Sequence, residues 1–468
     1  MTKPMFATDV YIQRREKLKK SVGSGLILLI GNDESPMNYA DNTYHFRQDS
    51  TFLYFFGLNF AGLAATMDCD SGEIIVFGND LTVEDFVWMG PQPSISERAL
   101  KAGVKKSAPI KELVKKLQEA RAKGRTIHFL PPYRPENKIK LFEWFGIIPA
   151  EARAEASLEL ILGVVNMRNY KSSEELAEIV KAADISVDMH IAAMKMAHPG
   201  VKESEIAGIM QSIAVASGGQ IAFPVIATIN GQTLHNHFHG NILKHGDMFL
   251  LDIGAETALC YAADLSSTVP VDKHFTPRQK EIYDLTLAAH NGAIDMLKPG
   301  VLFKEVYLES ARVIVRGLKD LCLMKGDVDE AVAKGAHALF FPCGLGHMMG
   351  LDVHDMEDLG EVYVGWGGSP KPTQFGIKSL RLGRKLEPGF VLTIEPGIYF
   401  IPELIDQWKN KKHNTDFINF NMVEAYRNFG GIRNEENFVI TEKGYKLLGK
   451  PKPKTVEEVE GMKVKSRK

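Results

Sequence analysis

Cysteine is scarce in this 468-residue sequence, and the few cysteines are scattered. Cys69, Cys260, Cys322 and Cys343 form no CxxC pair and no regular framework, which is typical of reduced thiols in a cytosolic protein. Long apolar runs are also missing. The longest one near the N-terminus, residues 25–30, suits a buried strand and not a membrane span, and the N-terminus lacks the apolar region of a signal peptide. We therefore expect a cytoplasmic protein.

An excess of charge of either sign is absent as well. The sequence has 56 lysines and arginines against 58 aspartates and glutamates, so no overall field favours nucleic acid or an anionic membrane as a partner. What the sequence does have is an apolar fraction of 45 %, typical of a soluble globular protein. Its length suits two domains.

Short apolar runs alternate with helical patterns in the first third of the chain. We predict strands at 25–31, 63–68, 73–78 and 126–131, and a helix at 110–120. This alternation indicates an α/β domain over residues 1–168. A helix start capped by Ser172 or Ser173 marks the boundary to a second domain, residues 169–468.

The second domain contains two internal correspondences. Residues 192–206 match 291–306 at an offset of 100 residues, including a shared Pro-Gly-Val string. Residues 246–254 match 389–397: each has a glycine, an apolar strand, and an acid six residues after the glycine, Asp252 and Glu395. Because both matches occur in the same order, we predict a duplicated half-domain with Asp252 and Glu395 facing one pseudo-two-fold axis.

Further acids and histidines stand in apolar surroundings. Asp252 ends the buried run MFLLD, and we predict that the next strand, YAADLSSTV, carries Asp264; a hairpin over GAETAL would bring the two acids together. Buried carboxylates that close repel unless a proton or a cation lies between them. His347 and His354 share a glycine-rich string with two aspartates.

The strand predicted at 430–441 carries the last acids. Period-two alternation places Arg433 and Glu435 on one face and Glu436 on the other. Glu435 is therefore the better candidate ligand, and Glu436 is expected either to face solvent or to lie behind the ligands. Carboxylates with imidazole favour divalent Mn²⁺, Co²⁺ or Zn²⁺. Two such ions, roughly 3.5 Å apart, can activate a water for attack on an amide carbonyl.

The ordered set Asp, Asp, His, Glu, Glu resembles that of the pita-bread metallopeptidases, within them the Xaa-Pro aminopeptidase and prolidase group. The string SLRLGRKLEPGFVLTIEPGIYF (379–400) is similar to prolidases, and FRQDSTFLYFFG (46–57) resembles the N-terminal domain of aminopeptidase P. The resemblance implies an α/β N-terminal domain and an α+β pita-bread catalytic domain with an internal pseudo-two-fold repeat. It also implies a dimer or tetramer, and in oligomeric relatives a WMG string like that of Trp88 comes near a neighbouring subunit's site.

The resemblance implies a role for each matching residue. Asp252 would bind one metal ion and His347 with Glu395 the other, while Asp264 and Glu435 would bridge both. Further residues would act beside the ions. They are Glu395 as proton shuttle, His235 and His354 on the substrate carbonyl and tetrahedral intermediate, Arg381 on the substrate carboxylate, and Arg433 next to the ligands.

Several positions depart from the family pattern. The spacing from Asp252 to Asp264 is one residue longer than usual, and the segment before His235 is about two residues short. Four substitutions accompany these changes: Phe223 for tyrosine, Ser267 for arginine, Cys343 for histidine, and Asn434 for an apolar residue. All five ligand positions are retained, so these departures concern proline specificity more than metal-dependent hydrolysis.

We predict a metal-dependent Xaa-Pro aminopeptidase that removes a residue preceding proline, using two divalent ions, most consistently Mn²⁺, with Co²⁺ or Zn²⁺ as alternatives. The expected partners are a proline-containing peptide and further copies of the chain, with no nucleic acid and no membrane. An Xaa-Pro dipeptidase is the first alternative, since Arg381 is typical of prolidases. A creatinase-like amidinohydrolase and a non-catalytic binding protein are others, but retention of the ligands argues against both.

Overall fold

The computed structural model describes residues 5–463 and divides into two compact units. The first unit ends at Arg168 and also includes Met356–Gly360. The second unit includes Asn169–Asp355 and the chain from Glu361 onward. Among the described residues, no helix is both long and apolar enough to span a bilayer.

A five-stranded mixed sheet forms the centre of the first unit, in the order β4-β3-β2-β1-β5. The pairs β1–β5 and β3–β4 are parallel and the other pairs antiparallel. Leu113 and Leu117, on the predicted helix, pack against Leu26, Leu28 and Phe77 of the sheet, so the helical spacing does bury one face. The strands are β1 Leu26–Ile30, β2 Ala64–Asp68, β3 Ile74–Phe77, β4 Lys106–Ala108 and β5 Ile127–His128, and the helices are α1 Thr8–Val22, α2 Ser50–Phe56, α3 Val83–Met89, α4 Ile95–Lys101, α5 Ile110–Ala122, α6 Pro135–Phe145 and α7 Leu158–Arg168.

The α3 helix lies on the surface of the first unit. Thr82 caps it in a reciprocal box with Asp85, which satisfies the first backbone N–H groups without tertiary contacts. None of its residues is buried, and Trp88 is 83 % exposed.

The second unit contains the remaining elements, beginning with a helix capped by Ser172 in a reciprocal box with Glu175. Its helices are α8 Ser173–Met196, α9 Glu203–Ala216, α10 Pro277–Asp295, α11 Phe303–Asp320, α12 Val328–Ala333, α13 Glu361–Val364, α14 Pro402–Asn410, α15 Phe420–Val423 and α16 Val456–Met462. Its strands are β6 Gln220–Ile221, β7 Ile226–Thr228, β8 Met248–Asp252, β9 Ala255–Glu256, β10 Ser266–Pro270, β11 Val391–Ile394, β12 Gly397–Tyr399, β13 Gly431–Arg433, β14 Glu436–Ile440 and β15 Tyr445–Leu447.

The internal repeat predicted from the sequence is confirmed by matching backbone hydrogen bonds. Gly200 donates to Leu243 and Leu243 donates to Val201; in the same way Gly300 donates to Leu386 and Leu386 to Val301. The helix pairs α8–α9 and α10–α11 break at these turns. Each turn therefore binds the strand segment that leads into β8 or β11, the strands that carry Asp252 and Glu395 towards the site.

Two sheets continue this correspondence. In the first, β8 lies between β10 and β7; in the second, β14 lies between β11 and β15. Beside β11, Met348 forms a bridge to Leu392, and Thr393 donates to the carbonyl of His347. The segment around His347 thus lies beside β11 in the second sheet, in the same way that β7 lies beside β8 in the first.

The strand predicted at 430–441 is not continuous, and that prediction was wrong. It breaks into β13, which pairs with β12, and β14, which pairs with β11. Between them, Asn434 N donates to Pro396 O and Glu435 N donates to Ser266 O. The chain passes from one sheet to the other at Glu435, and this change of sheet directs the Glu435 side chain towards the site.

Asp264 also lies outside the strand on which it was predicted. The β10 strand begins at Ser266, which pairs with Asp252. The hairpin turn lies at 257–261, where Cys260 adopts φ +66° and donates to the carbonyl of Thr257. Asp264 is thus held at the base of this longer hairpin, where its backbone N–H donates to Asn437 Oδ1 at 3.1 Å.

Candidate metal centre

Asp264, His347 and Glu435 form a buried cluster in the second unit. One ligand atom from each lies within 4.8 Å of the other two, and His347 Nε2 is 3.4 Å from Asp264 Oδ2. Glu395 joins the cluster, since its Oε1 is 3.5 Å from the same imidazole nitrogen. The strand ends and turns described above therefore bring three carboxylates close to the His347 imidazole. Asp264 comes from the first half of this unit, and Glu395 and Glu435 come from the second half.

Hydrogen bonds fix the orientation of the His347 ring. Its Nδ1 lies 3.0 Å from the carbonyl oxygen of Met348, and a carbonyl only accepts, so Nδ1 carries the proton. Nε2 of the neutral ring then presents its lone pair to the carboxylates. This is the arrangement in which a histidine binds a metal ion.

Glu435 and Glu436 point to different surroundings. Glu435 Oε2 accepts a hydrogen bond from Ser266 Oγ at 2.7 Å, beside the cluster. Glu436 is ion-paired with Lys454 at 2.6 Å and is 3 % exposed. Glu436 is therefore a buried structural acid, not the solvent-facing residue that was one expectation.

Arg433 connects Asp252 to the residues that surround the cluster. The Arg433 guanidinium binds the Asp252 carboxylate and also donates to Tyr399 Oη at 2.8 Å and, through Nε, to Ser266 Oγ at 2.9 Å. A single buried arginine thereby links β8, β10 and β12. It places a positive charge next to the Asp252 carboxylate.

The cluster holds its acids at unusual pKa values. Burial, reinforced by the neighbouring charge of Asp252, raises the pKa of Asp264 to about 8. Burial also raises the pKa of Glu395 and of Glu435, and the charge of Asp264 adds to both shifts. Taking these carboxylates out of water is costly unless protons or cations compensate them.

The residues present fit divalent metal ions. Asp264 Oδ1 and Glu435 Oε1 are buried and have no hydrogen-bond partner within residues 5–463, although buried carboxylate oxygens are normally paired. Four carboxylates and one imidazole are donors suited to Mn²⁺, Co²⁺ or Zn²⁺. The cluster can therefore hold metal through Asp252, Asp264, His347, Glu395 and Glu435.

A cavity of about 540 Å³ opens above the cluster. The five candidate ligands line it, and so do His235, His354 and Arg381. The Arg381 side chain is 34 % exposed and its Nε lies 3.5 Å from Glu361, whereas Asp264, His347 and Glu435 are buried. Arg381 thus lines a more exposed part of the cavity than these three residues do.

His235 and His354 are related by the internal repeat. His347 occupies beside β11 the position that Thr228 occupies beside β8. His354 follows His347 by seven residues, and His235 follows Thr228 by seven. The two imidazoles therefore face the cavity from equivalent loops, and burial lowers the pKa of His235, which keeps that ring neutral at pH 7.

Two of the departures from the family pattern line the cavity, Phe223 and Cys343. Burial raises the pKa of the Cys343 thiol to about 12, so a neutral thiol stands where the family has an imidazole. Ser267 instead binds Lys452 and His190, and Asn434 is 1 % exposed. Neither of these two is among the residues that line the cavity.

Sequence reasoning missed three residues that order the ligands. Ser266 binds Glu435, Asn437 binds the backbone of Asp264, and Thr393 Oγ1 accepts from His347 N at 3.2 Å and donates to Glu395. All three are polar residues that are buried within strands. That placement was visible in the sequence as an interruption of apolar runs.

The raised pKa of Asp264 makes stability depend on pH and metal. An unfolded aspartate titrates near about pH 4, so between that value and about 8 the folded metal-free protein binds more protons than the unfolded chain. Its stability then falls as pH rises through this window, while metal binding strengthens because the proton is displaced. We expect the Mn²⁺-induced rise in Tm to be larger at pH 8 than at pH 6, measured by calorimetry.

The same experiment has an internal check. Titration calorimetry in buffers of different ionisation enthalpy should show proton release on Mn²⁺ binding at pH 7. Equal Tm increments at both pH values together with no proton release would contradict the assignment of the raised pKa to Asp264.

Comparison with known proteins gives relatives over nearly the whole chain. Residues 177–442 match metallopeptidase family M24, and residues 11–128 match the aminopeptidase P N-terminal domain. The chain is 32 % identical to an Xaa-Pro dipeptidase of Rattus norvegicus, covering 95 % of this chain and 90 % of the relative. It is 30 % identical to a probable Xaa-Pro aminopeptidase pepP of Aspergillus niger, covering 96 % and 95 %.

A solved structure agrees. Zinc-substituted Escherichia coli aminopeptidase P in complex with product superposes with a TM-score of 0.81 at 27 % identity, covering 99 % of this chain and all of that one. The expected architecture, an aminopeptidase P N-terminal domain followed by a pita-bread catalytic domain, is thereby confirmed. This chain belongs to metallopeptidase family M24.

Proposed function

We propose that the protein is a metal-dependent Xaa-Pro aminopeptidase that releases an N-terminal residue preceding proline. The observation that carries this proposal is the cluster of Asp264, His347, Glu395 and Glu435, which lines a cavity of about 540 Å³ and in which two buried carboxylate oxygens lack partners within residues 5–463. Relatives over 90 % or more of the chain have names that specify Xaa-Pro bonds. An imide bond requires a dedicated site because proline has no N–H and restricts the residue before it.

In this proposal the chain's residues divide the work. Asp252, Asp264, His347, Glu395 and Glu435 hold two divalent ions, which when bound polarise the scissile carbonyl and activate water. Glu395 accepts and returns a proton; burial raises the pKa of its carboxyl group, in the direction that favours this task. His235 and His354 donate hydrogen bonds to the carbonyl and to the oxyanion of the tetrahedral intermediate.

An Xaa-Pro dipeptidase is the second candidate. Arg381 lines the cavity on its more exposed side, where a guanidinium could bind the free carboxylate of a dipeptide in bidentate fashion. Such binding would limit the substrate to two residues. The Xaa-Pro dipeptidase of Rattus norvegicus is among the relatives that share this much of the chain.

The proposal includes the setting of the enzyme. Mn²⁺ is the proposed ion, with Co²⁺ or Zn²⁺ as alternatives, and the compartment is the cytoplasm. The assembly is a homodimer or homotetramer, to which the exposed helix carrying Trp88 offers an apolar surface.

A substrate panel tests the proposal. The full chain is stripped of metal, reconstituted with Mn²⁺, and assayed on Xaa-Pro dipeptides, Xaa-Pro-Xaa tripeptides and proline-free controls of equal length. We expect the tripeptides to be cleaved after the first residue with at least about tenfold higher kcat/KM than the dipeptides, and the controls to stay intact.

Each other outcome selects another function. Cleavage of the dipeptides alone would establish the dipeptidase. Full activity after exhaustive chelation would favour a creatinase-like hydrolase. Absence of both stoichiometric metal and hydrolysis after reconstitution would favour a binding protein.

A further inference from the structure

A buried lysine lies behind the metal cluster and belongs to none of the roles assigned above. Lys452, in the segment between β15 and α16, is 3 % exposed. Its Nζ donates to Ser266 O at 2.7 Å and to Ser267 Oγ at 2.8 Å. Burying an ammonium group costs free energy, and these two hydrogen bonds offset part of that cost. Burial lowers its pKa to about 8, which leaves it charged at neutral pH.

Ser266 connects this lysine to Glu435. The carbonyl oxygen of Ser266, which accepts from Lys452, also accepts from Glu435 N at 3.1 Å. The hydroxyl of the same serine donates to Glu435 Oε2 at 2.7 Å and accepts from Arg433 Nε at 2.9 Å. Ser266 therefore holds Glu435 by both backbone and side chain, and Lys452 holds Ser266.

Ser267 extends the network towards the other ligand strand. Its Oγ lies 3.0 Å from His190 Nδ1, and His190 Nε2 lies 3.1 Å from the carbonyl of Ile253. Because that carbonyl can only accept, Nε2 carries the ring proton and Nδ1 accepts from Ser267. The bonds then run in one direction, from Lys452 through Ser267 and His190 to Ile253, the residue after Asp252. Every member of this chain of bonds has a partner.

We propose that Lys452 is a positioning residue of the metal centre: its ammonium fixes Ser266 and Ser267, and through them it sets the orientation of Glu435. The proposal rests on the proposed role of Glu435 as a metal ligand.

Substitution of Lys452 by methionine, which keeps an unbranched side chain that is one atom shorter and removes the ammonium group, tests the proposal. The full-length variant is stripped of metal and titrated with Mn²⁺ by calorimetry, and with Co²⁺ while its visible absorption spectrum is recorded. We expect Kd for at least one ion to rise 10- to 100-fold, as for other residues that orient metal ligands, and the Co²⁺ spectrum to change.

Lys454→Met is the matched control. Lys454 lies two residues further along and is ion-paired with Glu436 at 2.6 Å, so its loss destabilises the same region. We expect its Mn²⁺ Kd to stay within about threefold of the wild-type value. If Lys452→Met does not fold, Lys452→Gln, which keeps an N–H donor without the charge, is measured under the same criterion.

The outcomes separate this proposal from the proposed function. Wild-type Mn²⁺ affinity and an unchanged Co²⁺ spectrum in the Lys452 variant would overturn the positioning role, as would an equal loss in the Lys454 control. A wild-type protein that binds neither ion would instead refute the metal-dependent function itself.

Discussion

Glu435→Gln should lose metal binding and nearly all activity, while Glu436→Gln keeps both. Glu435 Oε1 is buried beside Asp264 and His347 and lacks a hydrogen-bond partner within residues 5–463. The Glu436 carboxylate, in contrast, is ion-paired with Lys454. Metal ions contribute several kcal/mol to stabilising the transition state of hydrolysis, and each 1.36 kcal/mol is a factor of ten. We therefore expect kcat/KM of the Glu435 variant to fall by about 10³-fold or more.

The pair of variants is informative because the two glutamates are adjacent in sequence and both buried. Stoichiometry by elemental analysis, Mn²⁺ affinity and peptide hydrolysis are measured on both. We expect Glu436→Gln to lose stability, since Lys454 keeps its charge without a partner, but to retain two ions per chain. Loss of metal in the Glu436 variant with retention in the Glu435 variant would reverse the assignment.

Arg433→Met should cost about 3–5 kcal/mol of unfolding free energy in the metal-free protein. Arg433 is 3 % exposed and is bonded to Asp252, Ser266 and Tyr399, and removing one member of a buried ion pair leaves an uncompensated charge. Saturating Mn²⁺ should reduce this cost, because the ions supply positive charge to the same carboxylate. Denaturant unfolding with and without Mn²⁺ measures both quantities.

Arg427→Met provides the comparison for this second experiment. Arg427 is bonded to Asp406, but the pair is 29 % and 50 % exposed, and exposed ion pairs contribute about 1 kcal/mol or less. We expect its variant to unfold close to the wild type with or without metal. Equal losses in the two variants would show that burial does not give Arg433 its importance.

The candidate site could be predicted from the sequence wherever a charged residue interrupts an apolar run. Asp252 and Glu395 each end a strand that is otherwise buried, and the energetic cost of that position indicates a ligand or a partner. The repeat added the expectation that the two acids face each other. These inferences depend on local pattern and on spacing, which a sequence displays directly.

The partners of these residues could not be predicted in the same way. Period-two alternation assigned Glu435 and Glu436 to opposite faces, and the two side chains do have different partners, but the pattern gave no sign that the chain changes sheets between Arg433 and Glu436. Which strand accepts each N–H is decided by residues far away in sequence, here Pro396 and Ser266. Lys452 gave no signal either, since a lysine among prolines and lysines near the end of a chain resembles a solvated segment until its contacts are known.

The internal repeat has a consequence for how such a centre could arise. The first half carries the candidate ligands Asp252 and Asp264, and the second carries His347, Glu395 and Glu435, so neither half alone contains the whole candidate set. An ancestor of half the length would have needed a second copy across a two-fold axis to complete the coordination. Within one polypeptide the two halves can differ independently. The position that is Thr228 in the first half is His347 in the second, an asymmetry that two identical chains could not provide.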